Sequence, residues 1–375
     1  MKVGIISHYL HFGYGGVLQN YALQTVLKRM GHTPVTFRVA VVKDDSWRNK
    51  IRSYLVRVLH SYLHCDSGIT ESQDKYISGK VEVFIGKYIN CTQPNRSSND
   101  FKKSTLSEEC DALIVGSDQI WRPNFDYVSN CFLDFATNIN VRKIAYAASF
   151  GVDDWRFSPK ETETYKQLAQ QFDAISVRED SGVSLCHRYL DRDDAKLVLD
   201  PTLLLDKYNY IKLAEEANEE PNQGNLFTYV LDKTEEKERI INQFSEKYSL
   251  KRFECMPKYS TTFENVKHHP DECVYPPITR WLRSFMDADM VITDSFHGTV
   301  FSIIFHKYFY VILNKERGAT RFVSLLKLFG LEDRIVNSGN ELIYDKKEID
   351  WEYVDVELKK WQNKSISYLK EELNS

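Results

Sequence analysis

The sequence predicts an α/β protein of two domains, each built on a parallel sheet, with the strand ends of both sheets facing one cleft. Three observations carry that expectation. A chain of 375 residues is long for one hydrophobic core and suits two domains of ordinary size. Short apolar runs alternate with longer segments of helical spacing, the pattern of βαβ units. The polar clusters fall directly after apolar runs, where open parallel sheets bind their ligands.

In order along the chain, residues 3–7 read as a first strand and Gly13-Tyr14-Gly15-Gly16 as a turn. Residues 17–30 then place Leu18, Ala22, Val26 and Met30 on one helical face and stop at Gly31. A strand at 34–39 completes one βαβ unit, which implies a right-handed crossover. Further strands are expected at 112–115, 143–148, 174–177 and 196–199, with one or two helices within 51–89 and a polar loop over 93–107. An acidic and then Asn/Pro-rich stretch at 215–223 marks the passage to a second α/β set. That set has strands at 226–231, 251–256, 290–293 and 309–313 and a helix at 235–247. A helical tail spans 346–373.

Composition narrows the class. Hydrophobic residues make up 42% and charged residues 27%, the balance of a globular protein. The net charge of -4 gives no global basic field for nucleic acid or anionic lipid. Aromatics are abundant at 13%, for core packing or for stacking on sugars. The seven cysteines are odd in number and form no C-x-x-C pair, which argues against a disulfide framework or zinc site and for a reducing cytosol. The N-terminal apolar run is too short for a signal peptide. The longest apolar stretch, 300–313, is interrupted by His306 and Lys307, so no span of a membrane is expected.

Five clusters carry chemistry. In Thr293-Asp294-Ser295-Phe296-His297-Gly298 a buried strand passes straight into a helix, whose unpaired first-turn N–H groups welcome an anion. His297 there is a proton donor or acceptor near neutral pH, or a structural histidine beside a capping Asp294 or Ser295. Gly116-Ser117-Asp118-Gln119-Ile120-Trp121 offers Ser117, Asp118 and Gln119 to sugar hydroxyls, with Asp118 as a general base, or is a turn capped by its Asp. Arg178, at a strand end, forks onto a carboxylate or phosphate, or forms a structural bridge with a neighbouring acid. The turn at Gly15 and Gly16 lacks the G-x-G-x-x-G spacing but lies beside the cleft with Asn20 one turn on. Arg321, at a helix start, is poorly placed for the helix dipole unless an anion sits nearby. No metal or redox motif is present.

Together these residues resemble the polysaccharide pyruvyl transferase family, from Gly15-Gly16-Val17-Leu18-Gln19-Asn20 through Tyr146-Ala147-Ala148-Ser149-Phe150-Gly151, Val177-Arg178-Glu179 and Asp200-Pro201-Thr202-Leu203 to the Ser295-Phe296-His297-Gly298 motif and Arg321-Phe322. The resemblance covers about residues 3–340, while 40–105 and 207–280 carry none of it. It implies two facing Rossmann-like domains of glycosyltransferase-B type, an N-terminal acceptor-side domain over 1–205, a C-terminal donor-side domain over 206–345 and a C-terminal helix over 346–375 crossing back. It implies transfer of the pyruvyl group of phosphoenolpyruvate onto a sugar of a surface polysaccharide such as a capsule or exopolysaccharide, or onto its polyprenyl-diphosphate-linked precursor, as a ketal. Phosphoenolpyruvate is then a co-substrate, and no cofactor is required. The family's histidine and arginine fall on His297 and Arg178. The expected site is His297 and Asp118 as catalytic groups, Arg178, Arg321, Ser295, Phe296 and Gly298 around the donor, and Gly15, Gly16, Asn20, Ser117, Gln119 and Trp121 around the acceptor. The alternative is a nucleotide-sugar glycosyltransferase of the same fold. The expected location is the cytoplasm, at the inner membrane face if the acceptor is lipid-linked, with the basic stretch 47–57 as membrane contact or ordinary solvated helix face.

Overall fold

The computed structural model describes residues 1–39, 69–95, 97–123, 128–313, 318–336 and 348–374. The basic stretch 47–57 lies outside them. The first sheet has six strands, β1 (Lys2–Ile6), β2 (Thr33–Thr36), β3 (Ala112–Asp118), β4 (Arg142–Ala148), β5 (Ala174–Val177) and β6 (Lys196–Leu197), in the order β2-β1-β3-β4-β5-β6. Every pair is parallel. Such strands are covered on both faces and read as continuous apolar runs, as Val3, Ile5 and Ile6 do at 0% exposure. The second sheet has β7 (Leu226–Tyr229), β8 (Arg252–Glu254), β9 (Met290–Thr293), β10 (Tyr308–Ile312) and β11 (Ile335–Val336), in the order β11-β10-β9-β7-β8, again all parallel.

This topology positions the site. In each sheet the strand order reverses once beside the first strand, between β1 and β3 in the first sheet and between β7 and β9 in the second. A crevice opens at such a reversal, beyond the carboxyl ends of the strands. The helices that leave β1 and β9, Tyr14–Arg29 and Phe296–Ile304, start at these two crevices.

One core cluster runs through both domains, from Val3 and Tyr14 to Trp281, Phe322 and Tyr368. The domain boundary is therefore a packed apolar contact, and the closed arrangement is held by burial of apolar surface. The helix Trp351–Asn374 returns to the first sheet. There Ser365 Oγ accepts from the Leu199 backbone at 3.0 Å, Gln362 donates to the Leu203 carbonyl at 2.8 Å and Tyr368 OH donates to the Ala145 carbonyl at 3.3 Å. Among the described residues no helix is long and apolar enough to cross a membrane.

Several elements differ from the sequence reading. The loop expected over 93–107 contains the helix Ser98–Ser107. Ser97 caps it by accepting from Asp100 N at 3.2 Å, and it buries only Phe101 and Thr105, so its apolar signal is too sparse to read. The strand expected at 112–115 runs on to Asp118 because β4 continues to pair with it there. The first helix begins at Tyr14, so Gly15 and Gly16 are helical and not a turn.

Candidate active site

β3 carries the first-domain half of the site. Its last residue, Asp118, has φ +84°, a left-handed conformation that costs a non-glycine residue energy and clusters at functional sites. Asp118 Oδ1 accepts from Gln119 N at 2.8 Å and from Arg178 Nη2 at 3.2 Å. Ser117 points the other way, into the protein, donating to Asp200 Oδ2 at 3.2 Å and accepting from Gln19 Nε2 at 2.8 Å.

Arg178, one residue beyond β5, is the centre of a carboxylate cage. Nη1 donates to Asp200 at 2.8 Å, Nη2 to Asp118, and Nε lies 3.8 Å from Glu179 Oε2, with 1% of its side chain exposed. Burial works against its charge, but Asp118, Asp200 and Glu179 outweigh burial and hold the guanidinium protonated. Asp200 caps the turn Pro201–Leu204 through Thr202 N at 3.1 Å and Thr202 Oγ1 at 2.7 Å, and accepts from Gln19 as well. Burial would raise the Asp118 and Asp200 carboxyls. Arg178, His8 and His297 around Asp118, and His297, Arg178 and Thr202 around Asp200, instead hold both well below the usual carboxylate range. Glu179 is raised, because its burial exceeds the pull of Arg178. Of the two readings open for Arg178, the geometry gives the structural bridge.

The second-domain half grows from β9. Ser295 caps the helix Phe296–Ile304 by accepting from Gly298 N at 3.4 Å, the bond expected of a serine cap. Gly298 is required because a Cβ there would overlap Thr293. Asp294 does not cap. Its carboxylate accepts from Leu231 N at 2.7 Å, Asp232 N at 3.1 Å and Lys237 Nζ at 2.6 Å, tying the loop after β7 to the end of β9.

The two halves interlock. His297 Nε2 stands 3.7 Å from Asp200 Oδ2, and its ring lies so close over Gly15 that a Cβ there would be 2.7 Å from Cε1 and nearer still to Nδ1. A Cβ on Gly16 would lie 3.7 Å from Asp118 Oδ2. The first turns of two helices from opposite domains thus meet, and neither contains an acidic residue. Gly318, at φ +88°, leaves room only for the Gly151 carbonyl. Ser324 Oγ accepts from Asp180 N at 3.1 Å. Between these contacts Arg321 is 5% exposed, and Phe296 is flanked by the guanidinium groups of Arg178 at 4.5 Å and Arg321 at 5.6 Å. Burial and the nearby Arg178 depress Arg321 to about 10, with Arg122 adding to the effect.

The structure therefore gathers His297, Asp118, Arg178, Arg321, Phe296, Ser295, Gly298, Gly15 and Gly16 at one place, with Ser117 beneath them. Gln119 lies at its edge, accepting from Arg122 Nη1 at 2.8 Å. Asn20 and Trp121 are corrected. Asn20 is buried and spends its amide on Ser7, Gly16 and Thr36. Trp121 is a core residue at 0% exposure, stacked on Phe132 and donating to the Cys131 carbonyl at 3.0 Å, with no face left for a sugar. Four participants had been given no role: Asp200, Glu179, Gln19 and Arg122. Gln19 had a readable signal, a polar residue on the buried face of a helix. Among the described residues no group of three or more His, Cys, Asp or Glu is arranged to hold a metal ion.

The fold is shared with solved structures of low identity. UDP-GlcNAc 2-epimerase from Neisseria meningitidis, bound to UDP-GlcNAc, is 10% identical with a TM-score of 0.53, covering 100% of this chain and 99% of that one. The UDP-GlcNAc 2-epimerase from Methanocaldococcus jannaschii, in complex with UDP-GlcNAc and UDP, is 13% identical at 0.51, covering 100% and 99%. At such identities the likeness is one of fold, two facing Rossmann-like domains of glycosyltransferase-B type. No curated protein matches the sequence. The model of one family, described as polysaccharide pyruvyl transferase, matches residues 14–316, a span that takes in the helix start at Gly15, the Arg178 cage and the His297 helix, and the chain belongs to the polysaccharide pyruvyl transferase family.

Proposed function

We propose that this protein transfers the pyruvyl group of phosphoenolpyruvate to two hydroxyls of one sugar, releasing inorganic phosphate and forming a ketal. One observation carries the reading. Two acid-free helix starts, from opposite domains, meet beside Arg321, whose charge burial, Arg178 and Arg122 oppose and Asp118 and Glu179 favour. An anion in that place pairs with Arg321 and accepts from the helix N–H groups. Phosphoenolpyruvate supplies two anionic ends, which suits Arg321 and Arg122 together.

The chemistry follows from these residues. His297 donates a proton to the methylene carbon C3 as the first sugar hydroxyl adds to C2. Phosphate then leaves with its bridging oxygen, and the second hydroxyl closes the ketal at C2. Two hydroxyl protons are released. One replaces the proton given by His297, and the other goes to the departing phosphate, which leaves as the hydrogen phosphate dianion. Asp118, held ionised, is a weak base and acts by orienting a hydroxyl. Arg178 holds Asp118 and Asp200 in place.

The acceptor is proposed to be a sugar of a surface polysaccharide or its lipid-linked precursor, at the cytoplasmic face of the membrane. Incubation with phosphoenolpyruvate and a panel of free and lipid-linked sugars tests the reaction. The expected result is an acid-labile ketal on one acceptor with an equivalent of phosphate. Transfer of a hexose from a nucleotide sugar, with no ketal, would overturn it.

A further inference from the structure

His297 and Asp200 come from opposite domains, and each ring nitrogen of His297 has a different neighbour. Nε2 is buried, has no hydrogen-bond partner and faces Asp200 Oδ2 at 3.7 Å. Nδ1 lies over Gly15, at the start of the helix Tyr14–Arg29. Asp200 itself cannot swing away. Its side chain is 1% exposed, and Thr202, Ser117, Gln19 and Arg178 grip both oxygens.

We propose that Asp200 is the positioning residue for His297, and that the two form a dyad completed only when the domains are closed. The proposal rests on His297 being the proton-transfer group. A carboxylate beside Nε2 favours the tautomer with its proton there, as a buried carboxylate does for a catalytic imidazole. Nδ1 is then the bare nitrogen, and it is the atom that exchanges protons with substrate. At 3.7 Å Asp200 acts on the imidazole through its charge, Oδ2 already accepting from Gln19, Ser117 and Arg178. Because Asp200 follows β6 and His297 follows β9, opening the domains removes the carboxylate from the imidazole. Proton transfer is thereby restricted to the closed, water-excluding state.

Two measurements on the full chain test this. In protein labelled with 15N-histidine, at a pH where the ring is neutral, the His297 signals (identified by their loss in His297→Gln) should show Nε2 protonated and Nδ1 not. A protonated Nδ1 would overturn the proposal, and this result needs no Asp200 variant to fold. In Asp200→Asn, kcat should fall about 10- to 100-fold with KM for phosphoenolpyruvate changed less than about threefold, the size of effect expected when a catalytic group is misplaced by about 1 Å. An unchanged kcat would overturn it too. If the wild-type chain forms no ketal from phosphoenolpyruvate, the proposed reaction fails, while the tautomer still decides the dyad.

Discussion

Gly15 and His297 touch across the domain boundary, and the contact leaves no room for a side chain on Gly15. Gly15 is the second residue of its helix, where alanine is otherwise at least as favourable as glycine. Gly15→Ala should therefore leave the first domain at least as stable while displacing His297 or parting the domains. Turnover is expected to fall about 100-fold, as when a reacting group is misplaced by about 1 Å. Steady-state rates beside circular dichroism check this, and an active Gly15→Ala protein would mean that the imidazole does not work from this position.

Arg178 neutralises three buried or half-buried carboxylates. Removing one partner of a buried ion network leaves uncompensated charge and costs about 3–5 kcal/mol. Arg178→Ala should show that loss in urea titration, a larger effect than the loss of a ligand contact alone. Lysine should recover only part of it, because an ammonium cannot fork between Asp200 and Asp118. Equal stability of all three proteins would refute the cage.

How far could the sequence carry this? Both sheets were legible, because strands covered on two faces are continuous apolar runs, and 174–177, 235–247 and 290–293 came out with the observed bounds. The places of His297 and Asp118 at the ends of strands were legible because polar residues there directly follow apolar runs. The cage was not. Asp200 and Gln19 join the cage through partners 22 to 181 residues away, and nothing local distinguishes Asp200 from a turn residue before a proline. Trp121 was misread for the complementary reason, since a tryptophan beside a polar cluster looks the same whether its ring faces a sugar or Phe132.

Acid should destabilise the protein through Asp118 and Asp200. Their folded pKa values lie below the unfolded value of about 3.9. Their contribution is therefore full above about pH 4 and is lost as pH falls toward the folded values. Glu179 has the opposite sign, since its raised pKa makes ionisation costly in the folded state, so its protonation offsets part of the loss. Asp118→Asn should flatten the decline in stability between about pH 5 and pH 3. Urea midpoints across that range measure it, and an unchanged slope would remove Asp118 from this role.

The helix Trp351–Asn374 buries Val354, Ser365, Tyr368, Leu369 and Leu373 against the rest of the protein. Ending the chain after Asp350 should lower the melting temperature and reduce turnover together, since the Leu199 backbone beside Asp200 loses its bond to Ser365. A truncated protein that melts and turns over like the full chain would show that the helix supports neither.

The central claim is that the cleft is built for a small molecule with two anionic ends. Calorimetric melting with each donor measures this most directly. A ligand that binds only the folded protein stabilises it by about 2.7 kcal/mol at one hundred times its dissociation constant. Phosphoenolpyruvate is expected to raise the melting temperature, with the shift abolished in Arg321→Ala, and UDP-GlcNAc is expected to leave it unchanged. A clear rise with UDP-GlcNAc and none with phosphoenolpyruvate would contradict the account.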